Sequence, residues 1–169
     1  DYSFRLLSAY EKNPDLLVFF TNYGDLRNGK EVDSNKLLSV KRAMLSPVKD
    51  GRFGRSRFVR RRILSLGSAI CCPSVSFNLK YLRQPIFEST MKCDLDWQAW
   101  ERISRQKGAF YYDSTILMHH RIHEESETTH LISDNTRGRE DLEMLTKFWP
   151  SCVARLIYKA YSKSQKSNG

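Results

Sequence analysis

The stretch "DLDWQAWERISRQKG" (residues 94–108) constrains the fold more than any other part of the chain. Trp97, Trp100 and Ile103 recur at the spacing of one helix face, which predicts a helix with a buried apolar stripe. Gln98, Glu101, Arg102 and Arg105 are expected on its outward side. Asp94 or Asp96 suits the N-cap, where a carboxylate accepts backbone N–H bonds, and Gly108 suits the end. A helix that buries two tryptophans needs a sizeable core around it, and 169 residues suffice for one domain with such a core.

The surrounding segments supply strands and further helices. "LLVFFTNY" (residues 16–23) is rich in aromatic and β-branched residues and reads as a buried strand. Asn28-Gly29 then signals a hairpin with a short returning strand. Before them, residues 4–13 have helical spacing that Pro14 stops. Residues 36–66 predict two helices broken near "SPVKDGRFG". "AICCPSVSFN" (69–78) reads as a second strand, with Pro73 implying an edge or an irregular start. "AFYYD" and "TILMHHRIH" read as two short strands, and residues 139–147 and 149–164 as helices. Strands alternating with helices argue for an α/β arrangement with few strands for its length.

Composition removes several classes. With 40% hydrophobic and 12% aromatic residues the chain is not of disordered composition, and no apolar run approaches a bilayer span. Cys71, Cys72, Cys93 and Cys152 form neither a disulfide framework nor a CxxC pair, so reduced, mostly buried thiols are expected, as in a cytoplasmic protein. The formal net charge of +9 is concentrated in residues 41–67, where Asp50 is the sole acid. Phe53, Phe58, Val59, Ile63 and Leu64 interleave there with Arg57, Arg60, Arg61 and Arg62, the pattern of a basic amphipathic helix facing an anionic partner.

Two groups of residues bear on chemistry. A helix N-terminus favours an ionised carboxylate, so capping and general-base action are compatible roles for Asp96. His119, His120 and His123 end a strand, and alternation sends His119 and His120 to opposite faces, away from a shared metal. Arg121 and His123 share a side and together suit a phosphate.

In order, "FFTNYGDLRNGKEV", "AICCPSVSFN", "CDLDWQAWERISRQKGAFYY", "LMHHRIHEES", "EDLEMLTKFWP" and "YSKSQKSN" resemble the C-terminal half of family-2 glycosyltransferases with the GT-A fold. The resemblance covers nearly the whole chain and is most specific at "DLDWQAWERIS" and "HRIHEES". It implies an α/β fold, a partial GT-A-like (Rossmann-like) mixed sheet with flanking helices. The nucleotide-binding half is expected upstream of Asp1. Residues 1–169 are then the C-terminal portion of a glycosyltransferase domain, with 41–66 a basic helical insertion and 139–165 the C-terminal helices. Such a portion alone is expected to be inactive.

The resemblance also implies roles. Asp96 would be the general base for the acceptor hydroxyl, followed by the family's Trp97, Trp100 and Arg102. Leu95 stands where the family usually has Glu, so Asp94 would supply the second carboxylate. Arg121, His123 and Ser126 match a segment that contacts the nucleotide diphosphate or the metal. Trp97, Pro73 and Ser74 fall on the acceptor side, and Asp1 matches the last aspartate of a metal-binding motif. The implied metal is Mg²⁺ or Mn²⁺, held with His123 and Asp1. The implied activity is inverting transfer of a sugar from a nucleotide-sugar donor to a glycan or lipid-linked acceptor in cell-envelope polysaccharide synthesis. The protein would sit in the cytoplasm, peripherally on an anionic inner membrane face, and self-association would cover exposed apolar surface. The rival reading is a basic nucleic-acid- or membrane-binding module without catalysis. Nucleic acid is the weaker option, because the aromatics follow no base-stacking module pattern.

Overall fold

The computed structural model describes residues 2–88, 90–122 and 136–166. Strand β1 (Leu16–Arg27) is its axis, and the first ten residues of that strand are buried. Strand β4 (Ala109–Ile122) runs parallel to β1 along its length. Strands β2 (Lys30–Val32) and β3 (Val75–Phe77) pair antiparallel with its two ends, through Asp25↔Val32 and Val18↔Phe77. The result is an open, mixed, four-stranded sheet, and the protein is α/β.

Period-two alternation gives this sheet two apolar faces. Phe19 stacks on Tyr111 at 5.7 Å on one face, and Phe20 stacks on Tyr112 at 5.3 Å on the other. The first face is covered by helix α1 (Tyr2–Lys12), through Ala9 and Leu6. The second carries the larger core, to which helices α2 (Lys36–Leu45), α3 (Arg57–Ile63), α4 (Leu95–Ser104), α5 (Thr136–Thr146) and α6 (Ser151–Lys166) contribute Leu45, Ile63, Trp100, Met144 and Ala154 respectively. These are the six α-helices among the described residues.

Local chemistry accounts for the joints. Asn28 and Gly29 both have positive φ, 51° and 75°, as a tight turn between right-twisted strands requires. Residues 41–66 hold the second half of α2, all of α3 and, between them, a 3₁₀ turn (Ser46–Val48) followed by an irregular run beside β4. There the Asp50 N–H donates to Tyr112 O at 2.9 Å, and the Phe110 N–H donates to Gly54 O at 3.0 Å. Gly54 is required at this approach, because a Cβ would overlap the Phe110 carbonyl.

Three expectations change. The two strands read from "AFYYD" and "TILMHHRIH" are one fourteen-residue strand. The Asp-Ser-Thr break survives as a register shift, where Thr21 and Asn22 face Asp113 and Ile116. Residues 69–78 are extended only at Val75–Phe77, since Cys72–Ser74 form a 3₁₀ turn around Pro73. Gln98 and Glu101 of α4 are buried rather than outward. Glu101 accepts from Arg61 and, at 2.6 Å, from Arg105, while Gln98 pairs with Thr90 at 2.8 Å.

The basic stripe is also partly internal. Arg60 is 0% exposed. Its guanidinium donates to the carbonyls of Ser104 (3.2 Å), Gly54 (3.0 Å), Gln106 (2.6 Å) and Gly108. No described helix is long and apolar enough to cross a membrane.

Candidate active site

A cleft of about 300 Å³ opens where the start of α4, the 71–73 turn, α2 and α5 meet. Asp94 and Asp96 both line it. Asp94 occupies the N-cap position of α4, yet its side chain makes no capping bond. Its carboxyl is buried close to that of Asp141 on α5, also buried. Burial, and then the charge of Asp141, push the Asp94 carboxyl above its ordinary value, with Arg137 opposing. Asp94 Oδ2 and Asp141 Oδ1 each lack a donor when both groups are ionised, although the carboxyls lie within hydrogen-bonding range. A proton on Asp94, whose affinity burial and the Asp141 charge raise, would supply the missing donor between the two carboxyls.

Asp96 is half-buried on the cleft wall, and its Oδ1 accepts the Trp97 N–H at 2.6 Å. Burial raises its proton affinity above the usual carboxylate range, while the Trp97 bond, Lys41 and Arg137 favour the ionised form. A carboxylate shifted upward but still faced by cations is suited to accept a proton. Lys41 Nζ donates to Tyr23 OH at 2.9 Å and lies 5.6 Å from the centre of its ring, so both are fixed on the same wall.

The neighbouring thiols are disfavoured as thiolates. Burial pushes Cys71 up to about 12 and raises Cys72 as well, so both stay protonated at neutral pH. None of the four cysteines is in a disulfide; Cys71, Cys72 and Cys93 are half-buried, and Cys152 is exposed.

The structure brings together some of the sequence-predicted residues and separates others. Asp94, Asp96 and Pro73 share the cleft. Trp97 is 1% exposed, its indole N–H given to Leu64 O at 3.0 Å, so it presents no surface to an acceptor. Ser74 is buried with its hydroxyl donated to Cys71 O at 2.8 Å, and it does not line the cleft. Arg121 is exposed at the end of β4 opposite Leu26, off the cleft wall. His120 lines the cleft instead, and His119 turns to the other side, where Nε2 meets Asp33 Oδ1 at 2.7 Å. His123, Ser126 and Asp1 lie outside the described residues. Among the described residues no three His, Cys, Asp or Glu side chains converge as a metal site would need.

Tyr23, Lys41, Lys92 and Arg137 line the cleft without having been singled out from the sequence. They come from separate elements at no motif spacing; only Lys41, inside the basic stripe, carried any signal. No family model, curated protein or solved structure matched the chain.

Proposed function

We propose that this chain is the acceptor-side portion of an inverting glycosyltransferase resembling family 2, with Asp96 as the general base. One observation carries the reading: Asp96 stands at the mouth of the tryptophan helix, on a cleft wall, with its proton affinity raised by burial and its ionised form favoured by Lys41 and Arg137. The acceptor hydroxyl gives its proton to Asp96 as its oxygen bonds to the anomeric carbon of the donor sugar. The bond from that carbon to the diphosphate breaks on the opposite face, and its electron pair leaves with the nucleoside diphosphate, inverting the centre. Lys41, Lys92 and Arg137 make the cleft attractive to such an anion. Arg121 and His123 are assigned to the leaving phosphates by resemblance alone. So are Asp1 and His123 to Mg²⁺ or Mn²⁺, and the proton transfer to Asp96 does not depend on that assignment.

The test uses the full-length protein, since on this reading another part of it holds the donor. Nucleoside diphosphate release from a panel of nucleotide sugars is followed with and without oligosaccharide or lipid-linked acceptors. Asp96→Asn should lower turnover by about 10²–10⁴-fold while the protein stays folded. A folded variant with an unaltered rate would sink the assignment.

A membrane-facing role for the basic segment belongs to the same proposal. Arg60 is consumed internally, but Arg52, Arg57 and Arg62 remain exposed beside Phe53 and Phe58, which are 58% and 70% exposed. Cationic and aromatic groups together favour an anionic lipid surface, where a lipid-linked acceptor would also reside. Co-sedimentation with vesicles containing anionic lipid at low salt should capture the protein, and neutral vesicles should not.

A further inference from the structure

Three consecutive backbone N–H groups converge on one carboxylate, that of Glu140 on α5. Lys92 N lies 2.9 and 3.1 Å from its two oxygens, Cys93 N lies 2.7 Å from Oε2, and Asp94 N lies 3.0 Å from the same atom. In a capping box, a glutamate at the third helical position takes the N-cap N–H. That position of α4 is Trp97, and Glu140 takes the Asp94 N–H from another helix. Arg137, Glu140 and Asp141 are spaced to share one face of α5, and all three act on the segment entering α4. Arg137 lines the cleft, and Asp141 meets Asp94. Burial acts to raise the Glu140 carboxyl, but the three amides, together with the charge of Arg139, hold it below its ordinary value. Glu140 is therefore ionised, and its bonds are of the stronger, charge-assisted kind.

We infer that Glu140 is a positioning residue for Asp96: its carboxylate ties residues 92–94 to α5 and so sets how Asp96 enters the cleft. The link onward is short, because Asp96 follows Asp94 by two residues and its Oδ1 is bonded to the Trp97 N–H. The importance of this role for catalysis rests on the reading of Asp96 as the base, while the anchoring itself does not.

The experiment measures amide hydrogen exchange by NMR in wild type, Glu140→Gln and Glu140→Ala, alongside nucleoside diphosphate release from nucleotide sugars by the same full-length variants and by Asp96→Asn. In Glu140→Ala, exchange at Lys92, Cys93, Asp94 and Trp97 should quicken by about 10- to 100-fold, with Trp100 and Ile103 unchanged. Glu140→Gln, which keeps an acceptor oxygen, should fall between and carries the test if the alanine variant does not fold. The kcat should drop about tenfold with donor KM unchanged, since orientation rather than donor binding is lost. A role limited to stabilising α5 would quicken amides of α5 and leave Trp97 alone, which overturns the inference. So does wild-type kcat in the Glu140 variants when Asp96→Asn is inactive. If Asp96→Asn turns over normally while the 92–94 and Trp97 amides loosen in Glu140→Ala, the transfer reading fails and the anchoring stands.

Discussion

Arg60 is a charge drawn wholly out of water and Asp96 one drawn partly out of it, and the fold treats them in opposite ways. Around Arg60, carbonyls of residues 54, 55, 104, 106 and 108 accept from the guanidinium, which also lies 5.3 Å from the centre of the Phe110 ring. Burial, then Arg57, lower its pKa to about 10, opposed by Asp15, and it remains a cation at neutral pH. All three nitrogens are engaged and the side chain is fully buried, so it is not presented to a ligand. Asp96 and its neighbour Asp94 face an open cleft, have raised proton affinity, and in Asp94's case carry an oxygen without a donor until a proton is shared. A charge whose bonds are all met inside the protein supports the fold. A charge left short of partners beside a cavity is where chemistry is to be sought.

The harshest way to break this contrast is at Arg60. Arg60→Met keeps the length and removes the donors, leaving the carbonyls of Gly54, Ser104 and Gln106 without their arginine partner. We expect a loss of about 3–5 kcal/mol, or failure to fold, read from urea or thermal unfolding. Lysine should rescue little, because a single ammonium does not reproduce the guanidinium fork. A variant that melts within about 2 °C of wild type would show that the cradle is not structural.

The opposite outcome is expected at Asp96. There Asp96→Asn should cost turnover its factor of about 10²–10⁴. It should leave stability unchanged or slightly higher, because the charge it removes is one that burial disfavours. Loss of both folding and activity would place Asp96 with Arg60, as a structural charge.

The sequence made one side of this contrast far more visible than the other. The tryptophan helix and the Asn28-Gly29 turn were legible because each depends on residues close in the chain. So was the placement of Asp94 and Asp96 at a helix start. Arg60 reads as part of a stripe facing an anionic partner, because its acceptors are backbone atoms, five or more residues away, that have no residue-type signature. Glu101 reads as outward by type, and its burial is made tolerable by Arg61 arriving from α3 together with Arg105 one turn along its own helix. Lys41, Arg137 and His120 meet Asp96 only through the crossing of α2, α5 and β4, which no local spacing records.

A milder probe concerns the shared proton. Asp94 and Asp141 have folded-state proton affinities above their ordinary value of 3.8, so the folded protein binds more protons than the unfolded chain in that window. Stability from this pair is therefore full at low pH and declines as pH rises from about 4 into the neutral range. The slope for one proton is at most about 1.4 kcal/mol per pH unit. Asp94→Asn supplies a permanent donor to Asp141 and should flatten this decline, gaining on wild type as pH increases. An unchanged pH dependence of the urea midpoint would mean that the two carboxyls do not share a proton.

The smallest effect is expected on the outer side of α3, opposite Arg60. Phe58 stands 70% exposed, with Arg62 at 5.5 Å from the centre of its ring; Arg62 also lies 4.4 Å from the centre of the Trp149 ring. Since Arg62 retains Trp149, Phe58→Ser should shift unfolding by about 0.5 kcal/mol or less, as exposed substitutions do. If this side of the helix meets lipid, the same change should weaken binding to anionic vesicles by up to about tenfold, from lost insertion of one aromatic side chain. Arg62→Gln should weaken it too, and added salt should narrow the difference between Arg62 and Gln. Vesicle binding indifferent to both substitutions would leave α3 with one working face, the inner one built around Arg60, and would return the exposed arginines to the role of solvated charge.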